Sequence, residues 1–295
     1  MPPRSGGMEV SMISPLEKAG ILTEALPYIQ AFYGKIVVVK YGGSAMTDPQ
    51  LEEMVLKDVI LMKLIGMKPV LVHGGGPMIN SWLDRLHIEA PFVNGLRVTD
   101  QATMEVVEMV LTGSVNKGIV SRIQRLGGKA AGLCGKDAGM VRARRITQPQ
   151  DLGLVGEITE VDPSLIHTLI ERDFIPVVSP VGYGDNGESL NINADTVASA
   201  LGGALKAHKL VLLTDVEGIF LGEGENRQLA SQLEAGDIPG LIEKNELTGG
   251  MIPKALGCLE AVTQGVENVH IIDGRKPHAL LLEVFTKEGV GTWVK

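Results

Sequence analysis

Short apolar, β-branched runs recur along the chain, separated by stretches whose apolar residues fall at helical spacing. Ile36–Val39, Pro69–Val72, Ile175–Val178, Leu210–Leu213 and Val269–Ile272 read as strands buried on both faces. Helical spacing fits Leu51–Ile65, Thr103–Leu111, Val115–Leu126, Pro163–Arg172, Ala194–Leu205 and Ala255–Gln264. Shorter strands are expected around Val141–Arg145 and Val155–Val161. Strands alternating with helices predict an α/β fold, a largely parallel open sheet covered by helices.

Two segments stand apart from this rhythm. Before the first strand, Ser14-Pro15 offers a helix N-cap followed by proline at the first helical position. Ile21, Leu22, Ala25, Leu26 and Ile29 then share one face, and Pro27 should kink the helix. That face could pack on the chain's own core or meet another subunit. Further on, Gly182, Gly184, Asp185, Asn186 and Gly187 crowd between Val181 and Glu188. The stretch could divide an N-terminal lobe, residues 35–181, from a C-terminal lobe, residues 182–295, or could be a hairpin within one sheet.

Composition narrows the class. The 27 basic and 35 acidic residues leave a net charge of -8, and only 4% of residues are aromatic. A nucleic-acid binder built on phosphate contacts and base stacking is therefore not expected. Cys134 and Cys258 lack the spacing of a zinc site and read as free thiols of a reducing compartment, cytoplasmic or, after removal of a transit peptide, an organelle stroma. No run of 18 apolar residues suggests a membrane span.

Candidate chemistry gathers where predicted strands end. The first strand runs into Lys40-Tyr41-Gly42-Gly43-Ser44, and the second into His73-Gly74-Gly75-Gly76-Pro77 before a helix. Glycine turns of this kind bring backbone N–H groups close to an anion, and a helix start favours negative charge. The spacing is that of neither a Walker A loop nor a GxGxxG dinucleotide turn. Arg97, in Asn94-Gly95-Leu96-Arg97-Val98-Thr99-Asp100, could clamp a carboxylate with two parallel hydrogen bonds. Asn191, Asn193 and Asp195 alternate along a segment that would present them to one side if extended. Thr214 and Asp215 close a buried strand, and Thr248-Gly249-Gly250 leads to Lys254 in the first turn of a late helix. A cation is unfavourable there without an anionic partner. Two lysines, an arginine and two glycine turns describe a site for two anions.

These motifs resemble the amino-acid kinase family, over essentially residues 16 to 294. The matching segments are KYGGSAM (Lys40–Met46), VHGGGP (Val72–Pro77), NGLRVTD (Asn94–Asp100), NINADTVA (Asn191–Ala198), LLTDVEGI (Leu212–Ile219) and TGGMIPK (Thr248–Lys254). NGLRVT and NINAD point to the branch that acts on N-acetyl-L-glutamate, rather than to its aspartate, carbamate or uridylate relatives. The resemblance implies a three-layer αβα sandwich like that of carbamate kinase. It also implies transfer of the ATP γ-phosphoryl group to the γ-carboxylate, a step of arginine biosynthesis. Lys40, Lys254 and Asp195 would be catalytic, with Asp195 holding both lysines. Gly75, Gly76, Arg97 and Asn191 would bind N-acetyl-L-glutamate, and Gly42, Gly43, Thr214, Asp215 and Gly250 would bind ATP. Mg²⁺ would ride on the phosphates, with no metal held by the protein alone. The N-terminal helix is similar to one that links dimers into hexamers in arginine-inhibited members. The allosteric arginine would then meet Tyr28, Lys209, His270, Glu283 and Gly289. Trp293 departs from the family, which usually has Met or Leu there.

Overall fold

A computed structural model describes residues 14–46, 48–222, 227–248, 251–286 and 289–295. Gly250 and Met1–Gly7 lie outside these described residues. Eight strands form the main sheet: Ile36–Tyr41 (β1), Lys68–His73 (β2), Ala130–Cys134 (β3), Ile175–Ser179 (β4), Lys209–Thr214 (β5), Gln232–Leu233 (β6), Val269–Asp273 (β7) and Gly291–Val294 (β8). Their order across the sheet is β6-β8-β7-β5-β1-β2-β4-β3. The six strands from β7 to β3 run parallel, and β8 returns antiparallel to β7. Each strand expected from the apolar runs is present, extended by one or two residues.

Alternation along the strands builds two cores. Val37, Val39 and Tyr41 face the helices Pro49–Leu64, Gln101–Glu108, Asn116–Arg125 and Ala279–Phe285. Val38, Val70 and Val72 face the opposite way, toward Ser164–Glu171, Ala194–Ala204 and Met251–Thr263. This is the expected αβα sandwich. All of these strand residues are fully buried, so β1 and β2 could only be near-continuous apolar runs.

The structure departs from the sequence expectations in instructive places. The expected break between helices near Leu111–Val115 is instead a π-helical turn, Met109–Val115, joining the helices on either side. Thr112-Gly113-Ser114 reads as a stop because its residues are poor helix formers, but the wider turn absorbs them. The segments Val141–Arg145 and Gly156–Val161 are strands of a separate four-stranded sheet. That sheet also holds Val181–Tyr183 and Ser189–Asn191, which pair antiparallel, so the Gly-rich stretch is the turn of a hairpin. Strands from both halves of the chain share the main sheet through the β1–β5 pairing.

At the N-terminus, Ser14 caps the helix Pro15–Glu24 in a reciprocal box with Glu17. The chain breaks at Ala25 and restarts as Leu26–Phe32, with Pro27 in its first turn. Leu16, Ile21, Leu22 and Leu26 remain exposed, so the first helix does not bury its apolar face within the chain. Among the described residues no helix is long and apolar enough to cross a membrane.

Candidate active site

Strand order reverses at β1, whose neighbours β2 and β5 lead the chain away in opposite directions. In such sheets ligands bind in the crevice beyond the carboxyl ends of the strands at that point. A cleft of about 690 Å³ lies there. It is lined by Lys40 near the end of β1 and Gly42 and Gly43 just after it, by Gly74–Gly76 after β2, and by Asp215 after β5. Gly43 has φ of +69°, and a side chain there would run into the Asp215 carboxylate. A Cβ on Gly42 would lie 2.8 Å from Lys40 Nζ. Both glycines thus leave room for the groups that line the cleft.

The two lysines approach from different elements. Lys40 is the fifth residue of β1, and its ammonium lies 2.9 Å from Asp195 Oδ1. Its side chain is only 13% exposed, so this charge points into the cleft rather than into bulk water. Lys254 comes from the first turn of Met251–Thr263 and donates to Thr214 Oγ1 at 2.7 Å. Asp195 was expected to hold both lysines; it pairs directly with Lys40, while Thr214 takes the bond from Lys254. Burial, the largest influence, lowers the Lys254 pKa. The Asp195 carboxylate opposes that shift and the Lys40 charge reinforces it, so the three groups act on one another.

Asn191, Asn193 and Asp195 all line the cleft, but not along one extended segment. Asn191 ends its strand, Asn193 is the N-cap of Ala194–Ala204, and Asp195 is already helical. Asn193 accepts the Asp195 N–H at 2.7 Å, which competes with continued extension. Arg97 also lines the cleft, buried to 7% exposure and seated over the Phe92 ring at 4.5 Å. Its Nη2 donates to Asn80 Oδ1 at 2.5 Å, and burial lowers its pKa. Asn191 Nδ2 donates to Thr99 Oγ1 at 3.1 Å, and Thr99 in turn donates to the Arg97 carbonyl at 2.7 Å. Thr99 thus ties the Asn191 side chain to the backbone at Arg97.

Sequence reasoning missed Asn80 and Leu111. Asn80 lies one turn beyond Gly76 on Gly76–Leu86, a spacing that puts it on the face of the glycine turn. Leu111 reaches the cleft from the π-helical turn, for which the sequence has no comparable signal. Among the described residues no group of three or more His, Cys, Asp or Glu could enclose a metal ion.

A second cavity, of about 290 Å³, lies at the other end of β5. Tyr28, Lys209, His270, Glu283 and Gly289 all line it, together with Trp293. Glu283 receives Lys209 Nζ at 3.1 Å, and its Oε1 lies 2.6 Å from His270 Nδ1. Burial alone would raise the Glu283 pKa, but the His270 hydrogen bond and the Lys209 charge prevail and hold it at about 2. Trp293 stacks on His270 with the rings within 5° of parallel and 6.0 Å apart, and its Nε1 donates to Asn268.

The amino acid kinase family model matches residues 35–273. The acetylglutamate kinase of Heliobacterium modesticaldum is 57% identical, over 96% of this chain and 99% of its own. Among solved structures, N-acetylglutamate synthase from Neisseria gonorrhoeae, complexed with coenzyme A and N-acetyl-glutamate, superposes with a TM-score of 0.81 at 23% identity. That match covers 94% of this chain and 63% of the synthase. Carbamate kinase from Giardia lamblia gives 0.66 at 17% identity, over 88% and 98% of the two chains. These last two share the fold, and the family match with the near full-length relative establishes more: the chain belongs to the amino acid kinase family.

Proposed function

We propose that this kinase transfers the γ-phosphoryl group of ATP to the side-chain carboxylate of N-acetyl-L-glutamate, giving an acyl phosphate. The observation that carries the reading is one cleft lined by Lys40, Arg97 and Asn191, with Lys254 in a small adjoining cavity that shares Asp195 with it. A relative named acetylglutamate kinase at 57% identity supports the choice of substrate. An amino-acid side-chain carboxylate has a pKa of about 4.3, so the nucleophile is already ionised and no general base is required. The obstacle is charge. At 4 Å and an effective dielectric near 20, two unit charges repel by about 4 kcal/mol. Lys40 and Lys254 offset this at the transferring group, most strongly where negative charge spreads over its oxygens.

The glycine turns supply N–H donors, Gly42 and Gly43 toward the nucleotide, Gly75 and Gly76 toward the acid. Arg97 holds the α-carboxylate and Asn191 the acetamido group. The nucleotide lies over the C-terminal lobe, residues 182–295, beside Thr214, Asp215 and Gly250; residues 35–181 bind most of the acid. Among the described residues lining the cleft the carboxylates are Asp195 and Asp215, a donor set that fits Mg²⁺ carried mainly on the phosphates and hydrated, with Asp215 a residue that would help hold it. When bound, the ion neutralises phosphate charge.

An ATP-dependent hydroxamate assay run side by side on N-acetylglutamate, glutamate, aspartate and carbamate tests the substrate. Turnover confined to N-acetylglutamate is expected; preference for another acceptor would reject this reading.

The Glu283 cavity supports arginine as a feedback inhibitor. An ionised buried carboxylate beside aromatic faces suits a guanidinium. The exposed apolar face of Pro15–Glu24 supports assembly into a hexamer through that helix. Replacing the carboxylate, Glu283→Ala, is expected to weaken arginine inhibition about tenfold to a hundredfold, the worth of a charge-assisted pair. Inhibition curves that coincide with the parent's would place arginine elsewhere.

A further inference from the structure

His73 ends β2 and has no exposed surface, yet the chemistry above gives it no task. Its Nδ1 lies 2.7 Å from the carbonyl oxygen of Gly74, and its Nε2 3.1 Å from Asn116 Nδ2. The neighbours determine the tautomer. A carbonyl can only accept, so Nδ1 bears the hydrogen. Asn116 Nδ2 also reaches the carbonyls of Val177 at 2.9 Å and Leu133 at 3.4 Å, while its Oδ1 accepts from Lys117 Nζ at 3.2 Å. These contacts fix which way the amide faces, so Nε2 carries no hydrogen and accepts. Burial, the largest influence, lowers the imidazole pKa to about 4 and keeps the ring neutral at working pH.

We infer that His73 is a positioning residue, holding the Gly74 carbonyl away from the cleft so that the N–H of Gly75 is aimed into it. The peptide between these glycines is planar and trans, so its C=O and N–H point in opposite directions. Fixing one fixes the other. The opposite side of Gly74 is held as well, because its N–H donates to the Tyr41 carbonyl at 2.8 Å. Through Asn116 the ring is braced against carbonyls of β3 and β4, so the aim of the turn is set by the main sheet. A glycine turn needs such a brace, since glycine favours no single conformation. Were the peptide to flip, a carbonyl oxygen would face an anion where a donor is needed. The inference rests on the reading of Gly75 as a donor to the bound acid.

Nitrogen-15 NMR of the histidine-labelled full-length protein tests the network whatever Gly75 binds. His73 should show the Nδ1–H tautomer, unchanged from pH 5 to pH 8; an Nε2–H tautomer or an imidazolium would overturn the inference. Kinetics with ATP and N-acetylglutamate then test its consequence. His73→Asn places an amide donor near the Nδ1 position and should keep kcat within about fivefold of the parent, because the Gly75 donor stays aimed. His73→Gln reaches toward Asn116 but not Gly74. It should lose about 10- to 100-fold in kcat at unchanged KM for ATP, somewhat less than outright removal of an oxyanion donor. Full activity in the Gln variant, or equal losses in both, would overturn the inference. The hydroxamate assay on the parent enzyme would still decide the substrate independently.

Discussion

Lys254→Met and Lys40→Met are each expected to lower kcat by about 10²-fold or more while changing KM far less. The Lys40 ammonium lies in the cleft 2.9 Å from Asp195 Oδ1, and the Lys254 ammonium lies in the small cavity on the other side of Asp195, 2.7 Å from Thr214 Oγ1. Neither pairing depends on substrate. What substrate adds is negative charge on the phosphoryl oxygens, and that charge is most dispersed at the transition state, so loss of a lysine falls on kcat. Met keeps the length and packing of the lysine stem, and thermal unfolding of the variants should stay close to the parent's. The Lys40 variant leaves Asp195 without its cation, so a second substitution, Asp195→Asn, should cost less in that background than alone. Activity within a few-fold of the parent in either lysine variant would remove both from the phosphoryl site.

Arg97→Ala and Asn191→Ala should act on the other half of the reaction. KM for N-acetylglutamate is expected to rise about tenfold to a hundredfold for Arg97→Ala, the worth of a charge-assisted pair, with KM for ATP nearly fixed. Arg97 is buried and its guanidinium has donors left beyond the one given to Asn80. Asn191 should show a smaller rise. A rise in KM for ATP instead would mean that the two ends of the cleft had been assigned in reverse.

Most of the sheet was legible because β1, β2, β4, β5 and β7 are buried on both faces and so carry unbroken apolar runs. Strand β3 was not, since Ala130-Ala131-Gly132-Leu133-Cys134 contains no β-branched residue; it is a strand by virtue of pairing with β4. Similarly, β6 spans two residues, too short for any periodicity. The hairpin at Val181–Tyr183 and Ser189–Asn191 was left open because glycine, aspartate and asparagine mark a turn without saying whether it joins strands or lobes. At the site, the glycine turns and their cations were visible as local motifs. Their mutual geometry was not: that Thr214 rather than Asp195 receives Lys254 depends on how two elements about forty residues apart pack together. The same holds for the His73–Asn116 contact, which spans 43 positions.

Lys209 and Thr214 are the first and last residues of one strand, β5, hydrogen-bonded on both sides to β1 and β7. At about 3.3 Å per residue, five steps separate the Glu283 cavity from the Thr214 end of the strand by about 17 Å. The four residues between them, Leu210–Leu213, are all buried. For an engineer, that geometry divides the chain into positions where the two sites can be tuned separately and positions where they cannot. Any volume change at Val211 or Leu212 displaces a segment whose ends serve both sites, so selection there mixes two phenotypes. Trp293 sits on β8, one strand beyond β7 and not bonded to β5. A substitution at Trp293 therefore reshapes this cavity without altering β5 itself.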